Sequence, residues 1–384
     1  MTAPCCRDLF PVTKNLVFLN HAGMSAHPLT TSQAMQDFNR ERLLYASKGF
    51  PRWMERVEEV RALVARLINA RPEETAFTAN TSSGLSLIAE GLDWRPGDEV
   101  VIVTPDFPSN VFPWLHLERR GVKVRRVVRN EGRFTTRDVE QHFTSRTRLL
   151  AVSTVDYASG FCSDVQGLGE LCRDRGVLLG LDAIQSLGVL PMDVASWSVD
   201  FLASGAHKWL LGPAGTALLY VSERLVERLD PPLTGWRSVV NEEEFNLCFE
   251  LKPDARRFEN GCLNLEGIFG LGASLDLLLT RGIETIREEV FALNDHLTSG
   301  LRERGLTVSS HWTGRERSGI LTFLPPGHPQ ECWQHLMDHH VMCSLRGGAI
   351  RLAPHFYNDD SDLEAFFTVL DEYLHLKSRT GADR

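Results

Sequence analysis

The runs VLLGLDAIQS (177–186) and FLASGAHKWLLGPAG (201–215) decide how this chain folds. Each opens on a short apolar stretch, the composition of a strand buried on both faces of a sheet, and then breaks into small and polar residues. The first ends at Asp182; the second passes Ser204 and Gly205 before reaching Lys208. Working outward, Val100–Thr104, Leu149–Val155 and Thr216–Val221 have the same texture and, with Val177–Leu181 and Phe201–Ala203, predict a set of buried parallel strands. Helical periods lie between several of them. Val57, Val60, Val64, Leu67 and Ile68 recur at spacings of three and four, as do Leu168, Leu171 and Cys172 on a shorter segment. The alternation predicts an α/β fold: an open, mostly parallel sheet with helices on both faces.

Composition agrees with a globular chain. Of 384 residues, 43% are hydrophobic and 24% charged, which excludes a disordered or collagen-like protein. The net charge of −9 argues against a uniformly basic nucleic-acid surface, so no nucleic-acid partner is expected. No apolar run reaches the roughly 20 residues a membrane span needs, so no membrane partner is expected either. The start, Met1–Phe10, has no apolar signal core, which predicts a cytoplasmic protein whose eight cysteines stay as free thiols. After Gly261 the texture changes. Helical periods at Glu266–Thr280 and from Ile283 to Leu301 lead into short strands, a helix around Glu331–His339, further strands and a last helix from Asp362. The expected domains are an N-terminal segment (1–30) packing on the small domain, a large domain (31–283) and a smaller C-terminal α+β domain (284–384).

Asp182 and Lys208 both arrive at the carboxyl edge of the sheet, where open α/β sheets bind ligands. Taken singly, Asp182 reads equally as a helix cap and Lys208 as a surface residue. Together, flanked by small residues that leave room for something bulky, they match the needs of pyridoxal 5'-phosphate (PLP). The lysine joins the cofactor's aldehyde as a Schiff base, and the acid keeps the pyridine nitrogen protonated. A phosphate needs a cradle, and TANTSSGLSLIAEGL offers one: Thr81, Ser82 and Ser83 stand where a helix begins, beside free backbone N–H groups. The same serines could also simply cap the helix. A flat ring needs a stacking face, for which Phe107 in TPDFPSN is the candidate. A substrate carboxylate needs an arginine, with candidates in CSLRGGAIRLAPHFYND.

The chain resembles the class V, fold-type I PLP enzymes, a group of aminotransferases, cysteine desulfurases, kynureninase-like and isopenicillin N epimerase-like enzymes. The resemblance runs from FLNHAG (18–23) to RLAPHFYND (351–359), through LDAIQS, SGAHKWLLGPAG and RRFENG. It implies that Lys208 is the Schiff-base lysine, Asp182 the pyridinium partner and Gln185 a donor to the ring hydroxyl. It further implies Ser204 and His207 as phosphate donors and Arg351 as the carboxylate-binding arginine, with Tyr357 and Asn358 following it. Arg346 is a second candidate, or a structural ion-pair partner. Asn20 and His21 match the segment that returns to the site mouth, where His21 is either a substrate contact or a satisfied structural histidine. Trp236 and Arg237 in the TGWRS loop are read as lining the site, their own or the neighbour's. Such enzymes are homodimers with shared active sites.

Departures from that pattern narrow the activity. Cysteine desulfurases keep a nucleophilic cysteine on a loop between two C-terminal arginines; here only Gly347–Ile350 separate Arg346 from Arg351. Cys343 lies on a strand-like run and reads as buried packing. Phe107 replaces a histidine, Tyr157 an asparagine, and Cys262 the hydroxyl residue that in the family reaches the partner's phosphate. The expected function is therefore a PLP enzyme acting on an amino-acid substrate through a Cα carbanion, foremost an aminotransferase. Alternatives are a β-eliminating carbon–sulfur lyase or epimerase and, from another class, a non-catalytic PLP-binding module. Cys332, His335 and His339 share one helix face but lack an obvious further ligand, so no metal is expected.

Overall fold

The computed structural model describes residues 6–310 and 314–381, with side chains to Ser378; the parts of the 1–30 and 284–384 assignments falling on 1–5, 311–313 and 382–384 lie outside the described residues. Strands form where the sequence is β-branched or leucine-rich between turn residues. They are β1 (Val17–Phe18), β2 (Thr75–Thr78), β3 (Glu99–Thr104), β4 (Lys123–Val128), β5 (Thr147–Ser153), β6 (Leu178–Asp182), β7 (Phe201–Gly205) and β8 (Ala217–Val221). The C-terminal region adds β9 (Thr307–Val308), β10 (Leu321–Leu324), β11 (Val341–Met342), β12 (Ser344–Arg346) and β13 (Ala349–Leu352).

The main sheet has seven strands in the order β2-β8-β7-β6-β5-β3-β4. Neighbours from β7 through β4 are parallel, whereas β8 runs antiparallel to both β7 and β2. Thr216–Val221, expected among the parallel strands, is thus the exception. The segment Ala206–Thr216 that joins β7 to β8 is too short to carry a helical crossover, so the chain can only fold straight back.

Successive side chains of the central strands go to opposite cores, as a pleated strand requires. Val101, Val103, Leu150, Val152, Leu179 and Leu181 meet Val57, Val64, Leu168 and Leu271 from the helices of one face. Val100, Ile102, Leu149, Ala151 and Phe201 meet Leu85, Ile88 and Trp114 on the other. Helices therefore do cover both faces.

A separate core gathers Leu19, Leu297, Leu301, Phe323, Leu336, Ile350 and Phe366 around the sheet β12-β13-β10-β9. The helix Ile283–Glu303 serves both bodies: Ile286 and Val290 lie in the large core, Leu297 and Leu301 in the small one. The N-terminal segment is divided too. β1 lies parallel beside β11 and Asn20 bridges Ala353, but Phe10 and Ala22 are buried in the large core. No helix among the described residues is long and apolar enough to cross a membrane.

Candidate active site

β6 and β7 set the acid and the lysine side by side. Asp182 is the last residue of β6 and pairs in register with Ala203 on β7, while Lys208 follows the end of β7. Asp182 is 2% exposed, and one carboxylate oxygen accepts the Ile184 N–H at 3.1 Å. The other oxygen receives no hydrogen bond among the described residues, leaving it available to a donor such as a protonated ring nitrogen. Burial pushes the Asp182 carboxyl well up, and the neighbouring Asp106 carboxylate adds to the rise. Burial pulls Lys208 down; Asp182 opposes that shift, while Arg351 and Arg346 reinforce it. Lys208 Nζ stands 5.6 Å from the centroid of the Phe107 ring, which in turn meets Tyr157 edge-on at 5.3 Å.

The phosphate candidates lie at the start of the helix Thr81–Gly91. Asn80 caps it, accepting from the Ser83 N–H at 2.9 Å and the Ser83 hydroxyl at 3.1 Å. The Thr81 hydroxyl oxygen accepts the Gly205 N–H at 2.9 Å, tying the helix to the end of β7 and leaving its O–H to donate. A Cβ on Gly84 would come within 2.9 Å of that of Ala203, so the glycine lets the helix sit this close. The Ser82 hydroxyl shares a 2.7 Å bond with that of Ser109. The candidate cradle thus stands on the helix's positive end, tied to the end of β7, a place that favours a dianion. Ser204 is 1% exposed with its hydroxyl turned to the Gly205 carbonyl, and His207 is half-buried beside Lys208, its imidazole pulled down by burial. A free oxygen on Asp182, an adjacent lysine, a ring face and a helix start make a donor set that fits PLP.

Gln185 is 2% exposed and largely committed. Its carbonyl accepts the Trp209 indole N–H at 2.9 Å and its amide donates to the Ala22 carbonyl at 3.1 Å, leaving one N–H for any ring hydroxyl. Arg351 is also 2% exposed. It donates from Nη1 to the Tyr157 carbonyl at 2.6 Å and from Nη2 to Ser344 at 3.3 Å, while its buried Nε has no partner. Burial, with the nearby Arg346, lowers its guanidinium to about 10. Asn20 reaches Arg351 only through Ser344, whose hydroxyl donates to the Asn20 amide oxygen.

His21 is the satisfied structural histidine of the two readings, and its placement as a substrate contact is corrected. It is fully buried, with Nδ1 at 2.8 Å from the Ala353 carbonyl and Nε2 at 2.8 Å from the Tyr357 hydroxyl. Tyr357 and Asn358 are buried in the same cluster, with Asn358 bonded to Phe18 and Asp362. Trp236 and Arg237 stack on each other at 5.5 Å, and Cys262 lies exposed. A cavity of about 670 Å³ opens beside the cradle, lined by Ser82, Ser83, Gly215, Asn260, Cys262 and Asn264. Neither Lys208 nor Asp182 lines it, so it is a neighbouring space and not the reaction centre. On the small domain, His335 and His339 come together with Glu372, while Cys332 turns into the core.

Sequence reasoning missed Asp106. Its carboxylate accepts from the Ser153 hydroxyl at 2.7 Å, from Asn110 at 3.1 Å and from the Phe107 N–H at 2.7 Å, so it fixes the Phe107 backbone while acting electrically on Asp182. Its position one residue before Phe107, after a strand end, was the available signal.

With this geometry in hand, likeness to known proteins is informative. The family model described as "Aminotransferase class-V" matches residues 17–363. A protein of Pyrococcus abyssi described as "Probable cysteine desulfurase" is 30% identical, covering 96% of each chain. The "Uncharacterized aminotransferase YcbU" of Bacillus subtilis is 31% identical over 93% of this chain and 94% of its own. The solved apo cysteine desulfurase of Thermococcus onnurineus superposes with a TM-score of 0.88 at 28% identity, covering 97% of this chain and 98% of that one. The chain belongs to the class V aminotransferase family of PLP-dependent enzymes, and PLP is its cofactor.

Proposed function

We propose that this protein transfers an amino group from an α-amino acid, with Lys208 as the proton-transfer base. The observation that carries the reading is the convergence of Asp182 at the end of β6, Lys208 beyond the neighbouring β7 with its Nζ over the Phe107 ring, and Arg351 held on Tyr157, whose ring meets that of Phe107. PLP, when bound, supplies the aldehyde that takes up the substrate amine and the ring that draws electrons from Cα. Arg351 holds the substrate carboxylate through its unpartnered Nε edge, which fixes where Cα lies. Lys208, its ammonium destabilised by burial, gives up its proton easily and so would take the proton from Cα and deliver it to the carbon on the cofactor side of the substrate nitrogen. Asp182 holds the ring nitrogen's proton. Thr81, Ser82, Ser83, Phe107, Gln185, Ser204 and His207 are proposed as further cofactor contacts.

A sulfur-accepting thiol is not part of the reading. β12 and β13 are joined by Gly347 and Gly348, both at positive φ (57° and 78°), a two-residue turn that leaves no flap. Cys343 is buried, and burial pushes its thiol far up. A second copy of this chain is proposed to cover the cavity at Ser82 and Cys262, giving a homodimer with shared sites. The cytoplasm is the proposed location, in keeping with described cysteines that are all free.

The test incubates the PLP-loaded enzyme with single amino acids and an excess of a 2-oxo acid, and follows both the new amino acid and the new oxo acid. Paired formation of the two supports transamination. Release of ammonia and pyruvate from a β-substituted amino acid, independent of the oxo acid, would replace it with β-elimination.

A further inference from the structure

The hairpin β12–β13 carries two arginines on one face. In its antiparallel register Ser344 faces Arg351, Leu345 faces Ile350 and Arg346 faces Ala349. Directly paired residues point to the same side of a sheet, so Ser344, Arg346, Ala349 and Arg351 share one face. Arg351 on that face reaches the Tyr157 carbonyl beside Phe107. The opposite face is apolar: Ile350 is in the small-domain core and Leu345 packs against it. Arg346 therefore looks toward the same space as Arg351, nearer the hairpin tip, about 7 Å farther along the strand direction.

The two guanidinium groups differ in how they are used. Arg351 is buried and held by Tyr157 and Ser344. Arg346 is exposed, and its one hydrogen bond goes to the carbonyl of its own neighbour Leu345 at 2.8 Å. The structural ion pair considered for Arg346 is not formed: among the described residues no carboxylate pairs with it. The hairpin lies against the loop that carries Tyr157 and Ala158, with Arg346 and Arg351 on one face and Lys208 Nζ over the adjoining Phe107 ring, while Asp182 sits at the end of β6 and Asp156 is already paired with Arg129 at 3.1 Å. One substrate carboxylate would occupy Arg351 and leave the second cation facing the ligand without a partner.

We infer that Arg346 is a specificity-determining residue that receives a second anionic group, so that the preferred substrates are dicarboxylic α-amino acids of the size of aspartate or glutamate. The inference rests on the amino-acid reading above, and its test keeps the two apart.

PLP uptake and labelling of Lys208 are checked first; a protein that takes up no PLP overturns both readings. On the loaded enzyme, calorimetry then compares glutarate and succinate with butyrate, acids that bind without reacting. The diacids should bind at least about tenfold more tightly, with the difference shrinking as salt is raised. In Arg346→Gln that selectivity should fall about tenfold, and the kcat/KM ratio of glutamate or aspartate over norvaline should fall with it, mainly through KM. Equal binding of diacid and monoacid by wild type, with transamination of neutral amino acids intact, would overturn this inference alone. So would an equal loss of both ligand classes in Arg346→Gln, which would make Arg346 a partner of the α-carboxylate. Arg346→Lys, which keeps the charge, should restore part of the selectivity.

Discussion

The Arg351 guanidinium donates to the Tyr157 backbone carbonyl across a 2.6 Å contact, joining the small-domain hairpin to the loop that follows β5 of the large sheet. A peptide carbonyl, unlike a carboxylate, holds an arginine without neutralising it. Arg351 is thereby aimed but keeps its charge for a ligand. Arg351→Ala should weaken binding of α-amino acids about ten- to a hundred-fold, the worth of a charge-assisted bidentate pair, while PLP content stays that of wild type. Amino-acid titrations alongside PLP quantification check this. A neutral Arg351→Ala with a damaged Arg346→Ala would reverse the two assignments.

Lys208 is proposed to join the cofactor's aldehyde because it follows the end of β7, with its Nζ over the Phe107 ring. Borohydride reduction of the PLP-loaded protein should leave one phosphopyridoxyl group, found by mass mapping on the peptide containing Lys208. Lys208→Ala should lose the label and turnover together. A label on any other lysine would dismantle the site described here.

No single cysteine should be needed for turnover. Cys162 and Cys332 are pushed up to about 12 by burial, and Cys343 further still, so none of them supplies a thiolate near neutral pH. Alanine or serine at each of the eight cysteines in turn should leave activity standing, and mass spectrometry after incubation with cysteine should find no persulfide. A persulfide at one position, with sulfur release abolished by its substitution, would make the protein a desulfurase.

Acid should loosen the contact between β1, the site edge and the C-terminal region. His355 is fully buried against the Trp209 carbonyl, and burial pulls its imidazole down from 6.5 to about 4. Its unfolded form binds a proton below about pH 6.5 that the folded form refuses, so stability is whole above that pH and falls as pH drops toward 4. The loss from this one group is roughly 3 kcal/mol by pH 4. Urea unfolding at pH 7 and pH 4.5 should show the drop, and His355→Gln should make the pH slope shallower whatever its effect at neutral pH.

What the sequence determined by itself is what depends on local pattern. Apolar β-branched runs bounded by turn residues are strands in either reading, and Asp182 and Lys208 had to reach the carboxyl edge because each follows such a run. Two glycines between Arg346 and Arg351 sufficed to show a turn with no room for a catalytic loop. Direction and pairing were decided only in three dimensions. That β8 runs against its neighbours follows from the tight return after Lys208, which no periodicity records. The fate of His21 was equally hidden, because its partners Ala353 and Tyr357 lie more than three hundred residues away and meet it only when β1 docks beside β11. Asp106 acquires its influence on Asp182 through parallel strands drawn together by a shared core. Arg346 and Arg351 came to share a face through antiparallel register, a property of paired strands and not of either strand alone.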